Sequence, residues 1–273
     1  TATASESNKT YDGGTTATTT LTFTGLIGSE TLGQTVGSTF DNKNVGSNKT
    51  VTVNSITLAD GSGLAANYSI SAGQTTTANI TAKSLTVSGI TASNKTYDGN
   101  GVATLDASSV AYSGIVSGDT FNGTYTATFS DKNVGTGKTV TITPSYSGAD
   151  VSNYSITNHA DVNANITAKA LTVSGITASD KTYDSNVTAT MDSSSVVYNG
   201  LVSGDIFTGS YSGVFANANV GTGKTVTVNS ITLADGTGLA ANYSISAGQT
   251  TTANVTAKSL TVSGITSSNK TYD

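Results

Sequence analysis

The chain has no cysteine, no tryptophan and no arginine, and only one proline, one methionine and one histidine in 273 residues. Without cysteine there are no disulfide staples, no cysteine zinc sites and no thiol nucleophile. Without arginine, and with a net charge of −5 at pH 7, there is no basic face and no bidentate guanidinium for phosphates, which excludes nucleic acid as a partner. Charged residues make up 11%, well below the roughly 25% of an ordinary globular chain. No apolar run approaches the length of about 20 residues that a spanning helix needs, so membrane insertion is not expected. The polar opening at Thr1 has no signal-peptide pattern, so the expectation is a mature chain or a fragment of something larger. Threonine, serine, asparagine, glycine and alanine fill the space instead.

What the chain has is a repeat. Lys-Thr-Tyr-Asp occurs at 9–12, 95–98, 181–184 and 270–273, spaced by 86, 86 and 89 residues. Asn-Val-Gly follows in phase at Asn44, Asn133 and Asn219, Asn-Tyr-Ser at Asn67, Asn153 and Asn242, and Asn-(Ile/Val)-Thr-Ala-Lys at Asn79, Asn165 and Asn254. Spacing between these marks changes in steps of three at two Gly/Ser/Asp-rich places, which are therefore loops. A period of this size predicts small domains in tandem: 1–83, 84–169 and 170–258, with 259–273 as the opening strand of a fourth. Leu-Thr-Val-Ser-Gly-Ile precedes the motif at 85–90, 171–176 and 260–265 but not at the first copy, where residues 1–7 stand in its place. Tandem arrays supply length, surface or multivalency more often than one active site.

Within a repeat, Leu85-Thr86-Val87-Ser88, Tyr125 to Phe129, Val140-Thr141-Ile142-Thr143 and Asn153-Tyr154-Ser155-Ile156 alternate apolar and polar residues. Period two with Thr, Val, Ile and Tyr is the pattern of half-buried strands. Six to eight short strands per repeat, separated by turn residues, predict an all-β chain. The architecture expected is an array of three immunoglobulin-like antiparallel β-sandwich modules forming an elongated rod. A parallel β-helix is the rival, but it needs a sub-period of about 20–25 residues, and none is found. Asn48, Gly137 and Gly223 share one position. Both residue types accept positive φ cheaply, which predicts a left-handed turn joining two paired strands.

These residues resemble the YDG and MBG (mostly bacterial immunoglobulin-like) repeats of large bacterial surface adhesins, including filamentous-haemagglutinin-like exoproteins. The resemblance is carried by Lys95-Thr96-Tyr97-Asp98-Gly99, Val116-Ser117-Gly118-Asp119-Thr120, residues 131–138, Ser147-Gly148-Ala149-Asp150, Asn153-Tyr154-Ser155 and Asn165-Ile166-Thr167-Ala168-Lys169. The third copy departs, with Ser185 in place of the glycine and Ala216-Asn217-Ala218 in place of Ser130-Asp131-Lys132. The resemblance implies an extracellular, non-enzymatic stalk module on a bacterial surface. It brings no ligand and no catalytic residues.

Little else points to chemistry. Gly223-Lys224-Thr225 ends like a phosphate loop, but Ala218 stands where that motif needs glycine and no helix follows. His159 is unique to one repeat, which suits a surface residue better than a general base. Asp12, Asp98 and Asp184 could each give one oxygen to an inter-module Ca²⁺, which takes six to eight, several from carboxylates. No second carboxylate column accompanies them, and a turn-initiating role before glycine is the simpler one. Lys95, Asn153 and Asp98 recur in phase and are candidates for a Lys–Asn isopeptide cross-link. Tyr11, Tyr97 and Tyr183, with Tyr68, Tyr154 and Tyr243, recur without a charged partner column. A core position is expected for them, and a sugar-stacking face is the alternative. Asn8, Asn67, Asn153, Asn165 and Asn242 are among several Asn-x-Ser/Thr acceptors.

The functional expectation is a structural stalk that supports adhesion or biofilm formation, not an enzyme, without cofactor. Its partners would be neighbouring repeats or copies of itself, or host and matrix glycans or proteins. One alternative is a filament or matrix subunit, in which Leu260, Val262 and Ile265 complete the first repeat of another copy by strand addition. A second is a carbohydrate-binding module.

Overall fold

The structure, a computed structural model, describes every residue from Thr1 to Asp273. It is built from β-strands, with three single 3-10 turns at Ala65–Asn67, Val151–Asn153 and Ala240–Asn242 and no α-helix. The chain forms two compact units. One comprises Thr1–Ser93, Ala103–Thr128 and Thr139–Asn163, and the other Asn94–Val102, Phe129–Lys138 and Ala164–Asp273.

In the first unit a five-stranded sheet runs in the order Lys9–Thr10, Thr75–Thr81, Gly46–Asp60, Leu32–Phe40, Thr16–Ala17. The outer pair Lys9–Thr10 and Thr75–Thr81 is parallel and the rest are antiparallel. Val51 and Val53 on the central strand and Ala78 and Ile80 on its neighbour face inward, while Thr50 and Thr52, and Thr77 and Asn79, take the opposite face. Each Val or Ile buried in this way contributes about 1.5–3 kcal/mol, so the period-two pattern is what holds the strands. A second, three-stranded sheet sets Lys83–Ser88 between Ala111–Ser113, antiparallel, and Tyr154–Thr157, parallel. Leu85 and Val87 project from its central strand into the same core as Tyr11, Phe40, Phe121 and Tyr154.

The second unit repeats both arrangements. Its five-stranded sheet is Lys181–Thr182, Thr250–Thr256, Gly221–Ala234, Thr208–Phe215, Thr188–Ala189. Lys169–Ser174 lies between Val197–Asn199 and Tyr243–Ile245. Phe215, Val226, Ala253 and Val255 form its core with Ala189. The longest strand pairs carry β-bulges, at Gly37/Ser38 and Ser212/Gly213, which bend and twist a ribbon too long to stay flat.

Asn48, Gly137 and Gly223 have φ of 51°, 59° and 61°, as their interchange implied. Their location differs from expectation. They do not join two strands; they lie inside Gly46–Asp60, Gly135–Ser147 and Gly221–Ala234. At the first and third, the register against the next strand shifts. The freed amide donates to the side-chain oxygen of Asn79, Asn165 or Asn254 at 2.7–2.8 Å. The recurring asparagine of Asn-(Ile/Val)-Thr is therefore a bulge ligand: it pairs the amide that the interrupted ladder leaves without a strand partner.

Candidate functional site: a latch between successive repeats

The tyrosine of Lys-Thr-Tyr-Asp is placed by a short parallel strand and a loop that its own neighbours tie down. The Lys95 ammonium lies 2.7 Å from Asp98 and bonds the Asn100 side chain and the Asn100 and Val102 carbonyls. Asp98 accepts the Asn100 amide. Lys9 and Asp12 clasp their loop in the same way, as do Lys181 and Asp184. The aspartate is thus the turn-initiating residue, and its charge is met by lysine.

Held in this way, Tyr11 and Tyr97 are each 1% exposed. Their hydroxyls reach carboxylates in the following repeat. Tyr11 donates to Asp119, 2.9 and 3.0 Å from its two oxygens. Tyr97 donates to Asp205 at 3.1 Å. The same carboxylates take a second hydroxyl from the Asn-Tyr-Ser tyrosine of their own repeat, Tyr154 at 2.5 Å and Tyr243 at 2.7 Å. Those hydroxyls accept the Val116 and Val202 amides. The rings of each tyrosine pair meet edge to face, with centroids 5.6 Å apart for Tyr11–Tyr154 and 5.5 Å for Tyr97–Tyr243, the geometry that aromatic quadrupoles favour. Burial, with the bond to the carboxylate adding to it, pushes Tyr154 and Tyr243 up to about 12. Tyr11 and Tyr97 are also raised, first by burial.

A second contact accompanies the first. Asn153, 1% exposed, accepts the Val45 amide of the preceding repeat at 3.0 Å and donates to the Asn44 side chain. Asn242 does the same with Val134 and Asn133. The motifs Asn-Val-Gly and Asn-Tyr-Ser are thus two halves of one joint. The first junction has an added ion pair: Lys43 lies 2.9 Å from Asp150 and 3.3 Å from Asp119. The Lys43 ammonium holds the Asp150 carboxyl below its usual range, and Lys43 is raised chiefly by the same bond. Leu239 takes the place of Asp150 before the third 3-10 turn, so that ion pair is not repeated.

The glycine after the motif completes the fit. Gly13 and Gly99 have φ of 80° and 84°. A Cβ there would come within 2.8 Å of Val116 Cγ1 and 2.6 Å of Val202 Cγ1.

The charged partner column for the tyrosines therefore exists, in the Val-Ser-Gly-Asp motif of the next repeat. The signal available for it was spacing. Tyr to Asp is 108 residues at both junctions, and Val to Asn is also 108 at both, although distances inside the repeats vary by three. The acceptor half of repeat 1 meets no donor within the chain: Tyr68 bonds Glu30 and accepts the Ile27 amide, and Asn67 is exposed. The donor half of repeat 3 is likewise unmatched, with Tyr183 39% and Val220 55% exposed.

The other sequence candidates fall out as follows. Lys95 is engaged by Asp98, Asn100 and Val102, and Asn153 by Asn44 and Val45; the two belong to different units. Asp12, Asp98 and Asp184 pair with lysines, and no group of three His, Cys, Asp or Glu side chains is assembled to hold a metal ion. His159 bonds the Ala160 carbonyl on the surface. Asn153 and Asn242 are buried with both amide atoms engaged, which closes them as glycan acceptors in the folded chain. Leu260, Val262 and Ile265 are exposed and outside any strand, whereas their counterparts Leu85 and Val87, and Leu171 and Val173, are buried in central strands. In repeat 1 a cleft of about 520 Å³, lined by Phe23, Leu26, Leu58, Tyr68 and Ile70 among others, occupies the corresponding place.

No curated protein and no solved structure matches the chain. The model of the YDG domain matches residues 1–78, 81–163 and 167–253. In the Tyr-Asp-Gly stretch the tyrosine and the glycine meet the next repeat while the aspartate clasps the loop that presents them, and the chain belongs to the YDG domain family.

Proposed function

We propose that this chain is a structural stalk of a bacterial surface adhesin, carried outside the cell, in which immunoglobulin-like sandwich modules stand end to end as a rod. One observation carries the reading. The same two-part joint, tyrosine to carboxylate and asparagine to backbone, is built twice from the recurring motifs. Residues that recur in phase are accounted for by joints, bulges and loop clasps, so repetition serves connection and not catalysis. A spacer requires this, because each joint must limit bending for length to be transmitted. The scarcity of charge and the Thr/Ser/Asn-rich outer faces support the same reading, as does membership of a family whose repeats occur in tandem.

Small-angle X-ray scattering over a concentration series tests it. A compact globule of this length has a radius of gyration of ~18 Å. Three sandwiches end to end give roughly 30–37 Å. A constant value in the upper range supports the stalk, and one near the lower figure overturns it.

A further inference from the structure

Gly13 and Gly99 differ from Ser185 in a way that bears on which repeat can follow which. All three positions are left-handed, with φ of 80°, 84° and 67°. Only the glycines face a following repeat within the chain, and each lies against one valine methyl, at a distance that leaves no room for a Cβ. That valine is always three residues before the latch carboxylate: Val116 before Asp119, Val202 before Asp205. It is held in place because its amide donates to the latch tyrosine, Tyr154 or Tyr243, at 2.8 and 2.9 Å. Valine is stiff at χ1, so its methyl cannot swing aside while the amide stays bonded.

Ser185 puts a Cβ where the other repeats have none. Its loop is otherwise unchanged: Asp184 accepts the Asn186 amide and pairs with Lys181, as Asp98 does with Asn100 and Lys95. The serine therefore alters the mating face without altering the fold beneath it. We infer that the residue after Lys-Thr-Tyr-Asp and the residue three before the latch carboxylate form a matching pair that sets repeat order. Repeat 3 is then fitted to a YDG-type neighbour whose residue at the Val116/Val202 position is smaller than valine. Repeat 1 presents Ile27 at that position, bonded through its amide to Tyr68. It is bulkier still, so a second copy of this chain is a mismatched follower. The inference rests on the latch geometry and not on the stalk reading.

The test moves the mismatch into a junction that the chain contains. Gly99→Ser copies the repeat 3 residue against Val202. Ser185→Gly, made separately, measures the cost of serine at positive φ where Tyr183 meets no follower. Two readouts are followed, the melting midpoint and the nitration of Tyr97 by tetranitromethane, mapped by mass spectrometry. The expected result is that Gly99→Ser lowers the midpoint by more than Ser185→Gly raises it, and that Tyr97 loses its protection and reacts as readily as Tyr183. Gly99→Ser combined with Val202→Ala should recover protection of Tyr97. Equal and opposite midpoint shifts with Tyr97 still protected would overturn the inference, leaving only backbone strain. So would a double variant no better protected than Gly99→Ser alone. Neither result would touch the scattering test of the stalk.

Discussion

The Tyr11 hydroxyl lies 2.9 Å from a carboxylate oxygen of Asp119, 108 residues further along the chain, and Tyr97 stands in the same relation to Asp205. Each carboxylate gathers two phenols and so turns two edge-to-face rings into one bonded unit. Hydrogen bonds to charged groups are worth about 1.5–3 kcal/mol each, and the partly buried setting shields them from water. The latch is therefore a sizeable part of what couples one repeat to the next.

Tyr97→Phe removes one hydroxyl from Asp205 and leaves the ring packing on Tyr243 intact. The expected loss is about 1.5–3 kcal/mol in urea unfolding. Tyr183→Phe, the same change at a 39% exposed residue with no partner carboxylate, should stay within about 0.5 kcal/mol of the parent. Equal effects of the two changes would remove the latch from the account of stability.

Asn153→Ala and Asn242→Ala each strand a backbone amide, that of Val45 or Val134. A buried donor left unmet costs about 1–3 kcal/mol. Asn67→Ala, at the exposed equivalent position, serves as the reference and should be near neutral. Thermal melts of the three variants side by side decide the matter.

Stability should form a plateau bounded on both sides by pH. On the alkaline side, free tyrosine ionises at about 10, whereas Tyr154 and Tyr243 are pushed up to about 12 by burial and by their bonds to Asp119 and Asp205. Between these values the unfolded chain releases protons that the folded chain keeps, so stability present below pH 10 is lost as pH rises toward 12. On the acid side, Asp41, Asp131 and Asp150 are held below the usual range by bonds to Lys49, Lys138 and Lys43. Stability present above about pH 4 is lost as pH falls through their depressed values. Melting temperature recorded across pH should show both shoulders, and a midpoint that rises between pH 10 and 12 would contradict the tyrosine assignment.

The intact mass of the folded chain should equal the sum of its residues. Cross-linking a lysine to an asparagine expels ammonia, and Lys95 is instead held as an ammonium by Asp98 and Asn100. A mass short by one ammonia per repeat would show that the clasp is not the final state of these lysines.

Much of this protein was legible in the residues alone. Period-two alternation set the strands, because a pleated ribbon buries every second side chain and leaves the threonines outside. Interchange of Asn and Gly marked the positive-φ positions, since only those residues enter that region cheaply. The recurring motifs marked which residues belong together in phase, and the Asp of Lys-Thr-Tyr-Asp was read as a turn residue from its neighbours. Tertiary structure alone decided which motif meets which. Val-Ser-Gly-Asp stood in the sequence only as one more recurring motif and Tyr11 as a core residue, because nothing local joins groups 108 residues apart. The pairing arises only when one repeat's loop is packed against a loop and a strand start of the next repeat. At Asn48 a turn joining two strands was expected and a bulge is found, since the same φ serves both and the choice is made by the Asn79 side chain arriving from another strand.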